Sequence, residues 1–127
     1  MTAARRRKAL AVLREYPLHR LVARFPEQQM AAVPLVGAPG SPERLESIRR
    51  RRLVRSRICR SRKVVRQVEL GLEALTPVQR LVLEKLCIQP KKGNVDRLCD
   101  LLGCEKSTVY RHRDKALEQF ATVLGWM

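Results

Sequence analysis

The stretch from Gly93 to Leu117 constrains the fold of this chain more than any other. Apolar side chains recur in it at i, i+3, i+4 and i+7, which predicts one buried face of a short helix, and they are Val95, Leu98, Cys99 and Leu102. Gly103 follows where the chain must turn tightly, and glycine tolerates the positive φ of such a turn. A second helix is predicted next, with Val109 on its inner side and polar or cationic side chains elsewhere. This pattern is typical of a helix-turn-helix.

Length and composition set the outer limits of the fold. The chain has 127 residues and 45% hydrophobic content, enough for one modest helical domain with appendages. Five aromatic residues are too few for the stacking platforms that bind single strands or RNA. No apolar run approaches the roughly 18 residues of a membrane span, and the basic N-terminus is interrupted by Arg14 and Glu15 before it resembles a signal peptide. We therefore expect a cytoplasmic protein that makes no membrane contact.

The net charge of +15 is unevenly distributed along the chain. Residues 1–66 hold 18 Lys and Arg against four Glu, a balance of +14, whereas residues 67–127 are nearly neutral at +1. Phosphate attraction is the main sequence-independent source of affinity for DNA. The basic half therefore favours double-stranded DNA as partner over an acidic protein or a membrane surface.

Residues 1–40 are expected to form an N-terminal helical segment followed by a linker. One or two helices are predicted over residues 3–30, broken at Tyr16-Pro17, because the residue before a proline avoids helical angles. The second piece has an apolar face, closed by Pro26 and made of Leu18, Leu21, Val22 and Phe25. Residues 31–42 carry three prolines and two glycines, which is typical of a linker or an ordered loop.

Residues 41–75 are predicted to form one long basic helix. Ser41 is placed to cap it, with Pro42 at the first helical position, and only Gly71 weakens its helical pattern. Its apolar seam follows alternating steps of four and three and consists of Val54, Ile58, Ser61, Val65, Val68, Leu72 and Leu75. Such a seam suits one partner helix, either from residues 3–30 or from a second copy of the chain, which makes a homodimer through residues 54–75 a candidate assembly.

Residues 76–127 are predicted to form three helices. Thr76, Pro77 and Gln79 make a capping box at the first of them, whose core face is formed by Val78, Leu81, Val82 and Leu86. Residues 90–93 end that helix, and Asn94 is expected to cap the next. The last helix keeps its apolar stripe through Ala116, Phe120 and Leu124 until Gly125 stops it, and Trp126 is expected to dock on the bundle or bind a partner. The predicted architecture is thus all-α, with N-terminal helices and a long arginine-rich helix before a trihelical helix-turn-helix domain.

The helix 106–124 is the predicted recognition helix for the major groove. Arg111 suits guanine, and Ser107 or Thr108 suits a phosphate. The candidate DNA contacts are Lys106, Ser107, Thr108, Tyr110, Arg111 and Arg113. The candidate phosphate contacts on the basic helix are Arg49, Arg50, Arg51, Arg52, Arg55, Arg62 and Lys63. Glu105 stands at the cap of the recognition helix, where capping is favoured over accepting a hydrogen bond from cytosine.

Metal binding and catalysis find little support in the sequence. The cysteines at 59, 87, 99 and 104 lack any close C-x₂₋₄-C spacing, so they are interpreted as small buried hydrophobic residues of a reducing cytosol. His19 and His112 have no carboxylate and nucleophile placed beside them in sequence. No Gly-rich phosphate loop or acidic metal cluster occurs. We expect no cofactor, no metal and no enzymatic activity.

The segments LEALTPVQRLVLEKL and DRLCDLLGCEKSTVYRHRDKALEQF resemble region 4 of sigma factors. The chain is more similar still to phage and prophage late-gene transcriptional activators of the RinA/ArpU type, which also have an LREYP-like N-terminal segment, here Leu13 to Pro17. The resemblance covers about residues 70–125 well and the N-terminus loosely. The loop at residues 89–93 and Cys99 depart from the family pattern, and no promoter-melting segment resembles that of a complete sigma factor.

The resemblance implies promoter-proximal DNA binding through Lys106, Ser107, Tyr110 and Arg111. We therefore expect a sequence-specific transcriptional regulator, an activator of phage or prophage late genes in the cytoplasm of a bacterial host cell. The alternatives are a small terminase-like DNA-packaging protein and a sigma-like factor that binds RNA polymerase, which makes RNA polymerase a second candidate partner.

Overall fold

The computed structural model describes residues 2–125, and these residues contain helices but no strands. Trp126, for which the sequence predicts docking on the bundle or partner binding, lies outside them. The helices are α1 (Ala3–Arg24), α2 (Pro26–Ala31), α3 (Pro42–Glu73), α4 (Pro77–Leu83), α5 (Asn94–Leu102) and α6 (Lys106–Leu124), and a π-helical turn, Glu84–Ile88, extends α4. The all-α prediction is confirmed. None of the described helices is both long and apolar enough to cross a membrane.

Two of the predicted helix starts are confirmed in atomic detail. The Oγ of Ser41 accepts a hydrogen bond from the amide of Arg44 at 3.1 Å, directly before α3. At α4, Thr76 and Gln79 form the reciprocal capping box, with each side chain bonded to the other residue's amide at 3.2 and 3.1 Å. Both starts also have proline at the first helical position, where its missing N–H has no intrahelical partner to lose.

The predicted break at Pro17 is wrong, because α1 runs through it to Arg24. A proline inside a helix removes one hydrogen bond and costs about 3 kcal/mol. Burial of Ala9, Leu13 and Tyr16 on one face of α1 offsets this cost, since each large buried side chain contributes about 1.5–3 kcal/mol. The chain breaks instead at Phe25-Pro26, where α2 begins.

The chain forms two compact units. The larger unit contains the described residues up to Pro17 together with those from Arg66 onward, and the smaller unit contains residues 18–65. Fully buried side chains of the larger unit come from α1, α3, α4, α5 and α6 and include Leu13, Val68, Leu83, Leu98 and Phe120. The predicted stripe of α6 is confirmed, since Ala116, Phe120 and Leu124 are all buried. On α4 the inner face is shifted: Leu83 is buried, whereas Val78 is exposed.

Gly71 marks a close crossing of α3 and α6 in the larger unit. A Cβ atom at this position would lie 2.6 Å from Cε2 of Phe120, far inside van der Waals contact. The glycine that weakened the helical pattern of α3 is therefore what allows the Phe120 ring to lie against its backbone.

The smaller unit is held together by side chains that bind the loop before α3. The Nη1 of Arg51 donates hydrogen bonds to the carbonyls of Met30 and Val33 at 3.4 and 3.1 Å. The hydroxyl of the buried Ser47 accepts from the amide of Val36 at 3.2 Å. The segment at residues 31–42 is thus an ordered loop rather than a free linker.

The apolar seam of α3 is covered within the single chain. In the smaller unit Ile58 and Ser61 are buried, and the Ser61 hydroxyl shares a hydrogen bond of 2.8 Å with Nδ1 of His19 on α1. In the larger unit the Tyr16 hydroxyl of α1 donates to Glu69 at 3.4 Å. Of the two partners left open by the sequence, α1 therefore contacts this helix. The predicted apolar face at the end of α1 is not a core face, however, since Leu18 and Leu21 are 62% and 56% exposed.

Candidate nucleic-acid interface

The chain between α5 and α6 turns on a left-handed glycine, as the sequence predicts. Gly103 has a φ of 63° and ends α5, and the amides of Gly103 and Cys104 both donate to the carbonyl of Cys99. The two donors share one carbonyl at the end of α5, which is thereby satisfied without any side chain. Below the turn, Val82, Leu98 and Val109 form a buried cluster that joins α4, α5 and α6. The start of α6 is therefore fixed from its inner side.

The predicted cap at Asn94 is wrong, although the residue has a clear structural role. Gly93, with a φ of 86°, precedes α5, and Asn94 is already helical. The buried Asn94 side chain donates from Nδ2 to the carbonyls of Lys85 and Gln89 at 2.8 and 3.3 Å. The π-helical turn leaves these two carbonyls facing α5. The Asn94 side chain donates a hydrogen bond to each of them instead of capping its own helix.

The outer side of α6 presents most of the predicted contact residues to solvent. Lys106, Ser107, Tyr110 and Arg111 are exposed, Thr108 is half-buried, and Val109 between them is fully buried. Nζ of Lys106 lies 3.5 Å from a carboxylate oxygen of Asp96, but both side chains are about 70% exposed. Such an exposed pair contributes at most about 1 kcal/mol, so Lys106 is readily available to a phosphate.

Arg113 differs from the other predicted contact residues because it is half-buried and bound to neighbouring side chains. Its guanidinium lies 5.0 Å from the centre of the Tyr110 ring and 3.2 Å from Oδ1 of Asp114. The same Asp114 oxygen is 3.6 Å from Nη2 of Arg6 on α1. The guanidinium of Arg113 is therefore placed to orient the Tyr110 ring rather than to extend into solvent. The pattern of α6 alone gave no sign of Arg6, although the basic run at residues 5–8 was visible in the sequence.

Glu105 occupies the predicted cap position of α6 but does not cap it. Its backbone carbonyl accepts from the amides of Thr108 and Val109 at 3.0 and 3.1 Å, whereas its side chain makes no capping hydrogen bond. The capping role favoured by the sequence is thus wrong. The exposed carboxylate stays at the outer edge of the first turn of α6.

The predicted phosphate contacts on α3 are exposed apart from Arg51. The exposed members of the predicted set are Arg49, Arg50, Arg52, Arg55, Arg62 and Lys63. Arg51 is half-buried and binds the loop carbonyls of Met30 and Val33. Arg50 pairs with Glu46 one turn earlier at 3.5 Å, again between exposed groups. Arg51 therefore has a structural role, and the other six present charge to solvent.

The four cysteines are not equivalent. Cys87 is buried, and desolvation raises the pKa of its thiol from 9.0 to about 11, although Arg113 and Arg14 act in the opposite direction. Cys99 and Cys104 are half-buried beside the turn, whereas Cys59 is exposed, contrary to the expectation of burial. Across residues 2–125, no three His, Cys, Asp or Glu side chains are grouped to hold a metal ion.

Comparison with protein-family models, with curated proteins and with solved structures finds no match to this chain.

Proposed function

We propose that this protein is a sequence-specific DNA-binding transcriptional regulator, and that α5, the turn at Gly103 and α6 act as a helix-turn-helix. The observation that carries the proposal is the contrast along the first turns of α6. Val109 is fully buried in the cluster with Val82 and Leu98, while Ser107, Tyr110 and Arg111 are exposed around it. A recognition helix needs this combination of a fixed inner side and a polar, cationic outer side.

In this proposal, the exposed side chains at the start of α6 bind bases, phosphates or the walls of the groove. Arg111 donates two parallel hydrogen bonds to a guanine edge, the base contact for which a guanidinium is best suited. Ser107 and Lys106 bind phosphates, and Tyr110, held against Arg113, makes van der Waals contact in the groove. Glu105 accepts a hydrogen bond from a cytosine amine, since its carboxylate has no capping partner.

The exposed arginines of α3 supply affinity without selectivity. The segment from residue 67 onward has a balance of only +1, so α6 by itself attracts the DNA polyanion weakly. Neutralising phosphates releases condensed counterions, and each contact changes the logarithmic salt dependence by about 0.9. Six exposed cations on one helix are sufficient for a substantial share of non-specific binding.

The resemblance of residues 70–125 to RinA/ArpU-type activators supports late phage or prophage genes as the regulated set. Contact with RNA polymerase belongs to this proposal as the means of activation. A homodimer is not required to cover the seam of residues 54–75, because Ile58, Ser61 and Val68 are already buried in the single chain.

Selection of bound duplexes from a random pool tests the first half of the proposal. The full chain should enrich one motif, and the Arg111→Ala chain should bind DNA without enriching it. Genome-wide occupancy in the producing cell then tests regulation. A peak at a promoter with a new downstream transcript supports an activator, whereas occupancy at a packaging site with unchanged transcription would favour the packaging alternative.

A further inference from the structure

A second basic cluster lies at the start of α1, outside the residues proposed above to contact DNA. Arg5, Arg6, Arg7 and Lys8 occupy the first two turns of this helix, and all four are exposed. The Thr2 hydroxyl accepts from the amide of Arg5 at 3.2 Å and closes the helix end. The partial positive charge of a helix N-terminus adds to these side-chain charges.

The cluster is held in a fixed position within the larger unit. Ala9 and Leu13 are fully buried one and two turns after it, and Tyr16 bonds to Glu69 on α3. The cluster is therefore the exposed end of an anchored helix rather than a free tail.

One contact places this cluster beside the outer side of α6. Nη2 of Arg6 lies 3.6 Å from Oδ1 of Asp114. Asp114 follows Arg111 by three residues and Tyr110 by four, so all three lie on the same side of the helix. The basic end of α1 thus adjoins the C-terminal edge of the proposed reading surface.

The spacing along α6 matches the dimensions of DNA. A rise of 1.5 Å per residue puts Ser107 and Asp114 about 10 Å apart along the helix axis. The major groove is about 12 Å wide between its two bordering phosphate strands. If the first turns of α6 enter the groove, the side chains beside Asp114 reach one of these strands.

We propose that Arg5 and Arg7 bind the phosphate backbone that borders the groove read by α6. Arg6 neutralises Asp114 and so reduces the repulsion between this carboxylate and the phosphates of that strand. This inference rests on the proposed function and adds to it a phosphate-binding surface on the same compact unit as α6. The basic end of α1 thereby gives the nearly neutral helix-turn-helix segment a local source of affinity.

The test compares two charge-matched double variants of the full chain. Arg5→Gln/Arg7→Gln removes two charges from the cluster, and Arg20→Gln/Arg24→Gln removes two exposed charges from the far end of the same helix. The probe is the duplex enriched by the wild-type chain, and affinity is measured by fluorescence anisotropy between 50 and 200 mM salt. Thermal unfolding of both variants monitors folding, and Arg5→Lys/Arg7→Lys restores the charge.

Loss of two phosphate contacts lowers the steepness of the logarithmic salt dependence by about 1.8. The advantage of wild type over Arg5→Gln/Arg7→Gln should accordingly shrink about tenfold across this salt range. The lysine variant should recover most of the salt dependence, and the Arg20/Arg24 variant should change it less. Equal salt dependence in both glutamine variants would overturn the inference while leaving the proposed function intact, whereas a wild-type chain that enriches no duplex would overturn both.

Discussion

Gly71 has a packing role that its residue type alone does not predict, because it leaves room for the Phe120 ring against the backbone of α3. Alanine is ordinarily about 1 kcal/mol better than glycine inside a helix. Here its methyl group would lie 2.6 Å from Cε2 of the buried Phe120. Overpacking of a core costs about 1–3 kcal/mol, which exceeds the propensity gain.

Gly71→Ala should therefore lower the free energy of unfolding by about 1–2 kcal/mol, measured by urea denaturation. The matched experiment introduces Gly71→Ala into a Phe120→Leu chain, where the smaller side chain leaves room for the methyl group. In that background the same substitution should be neutral or stabilising. A stabilised Gly71→Ala chain with Phe120 intact would show that the ring moves aside at little cost.

The buried thiol of Cys87 is expected to lower the stability of the folded chain at alkaline pH. Its pKa is raised to about 11 in the folded chain from 9.0, because burial disfavours the thiolate. An acid whose folded pKa is raised loses stability as pH rises from the unfolded value to the folded one, and keeps its full contribution below both. The loss for Cys87 falls between pH 9 and pH 11 and amounts to about 2–3 kcal/mol.

Urea denaturation across this pH range should show the loss in wild type and in Cys59→Ala, since Cys59 is exposed. Cys87→Ala should be less stable at pH 7 but lose less on going to pH 11. Parallel pH profiles for the two variants would mean that the pKa of Cys87 is the same in the folded and the unfolded chain.

At the scale of elements, the starts of α3 and α4 were predictable from sequence, and the joints between helices were not. The side chains of Ser41 and Thr76 each accept a hydrogen bond from an amide three residues later, so both partners lie within one short sequence pattern. Pro17 remains helical because residues elsewhere in the chain bury the face of α1, and Asn94 serves carbonyls five and nine residues away. Neither the residues that pack on α1 nor the carbonyls that Asn94 binds can be identified from a local sequence pattern.

The outer side of α6 was predictable because helical periodicity, like the Ser41 and Thr76 caps, is a local property of the sequence. Its periodicity located Val109 inside and Ser107, Tyr110 and Arg111 outside. The ion pair between Arg6 and Asp114 joins residues more than a hundred positions apart. Only the packing of α1 brings these two charges together, so no local pattern contains them.

The joint between the π-helical turn and α5 depends on the two hydrogen bonds donated by Asn94. Asn94→Asp has nearly the same shape but has no hydrogen to donate, so the carbonyls of Lys85 and Gln89 lose a partner. We expect it to lower the free energy of unfolding by at least about 1–3 kcal/mol. Asn94→Ala serves as the comparison: since it adds no buried charge, it should cost less than Asn94→Asp. A fully stable Asp variant would contradict this assignment.

The arginines of α3 divide into structural and solvent-facing groups, and adjacent residues test the division. Arg51→Gln removes the donor that binds the loop carbonyls, so it should destabilise the chain by about 1–3 kcal/mol. Arg52→Gln removes an exposed charge next to it and should change stability by less than about 0.5 kcal/mol. Thermal and urea unfolding of both chains check this, and equal losses would refute it.

At the scale of the whole molecule, the charge gradient predicts that affinity and selectivity are separable. Arg111→Ala removes a base contact and should abolish site preference while leaving non-specific binding largely intact. The triple change Arg49→Gln, Arg50→Gln and Arg52→Gln spares the structural Arg51 and removes three exposed cations. It should weaken binding to all duplexes and lower the steepness of the salt dependence by up to about 2.7. Parallel titrations of the enriched duplex and a scrambled one distinguish the two effects, and variants that behave alike would show that one surface supplies both.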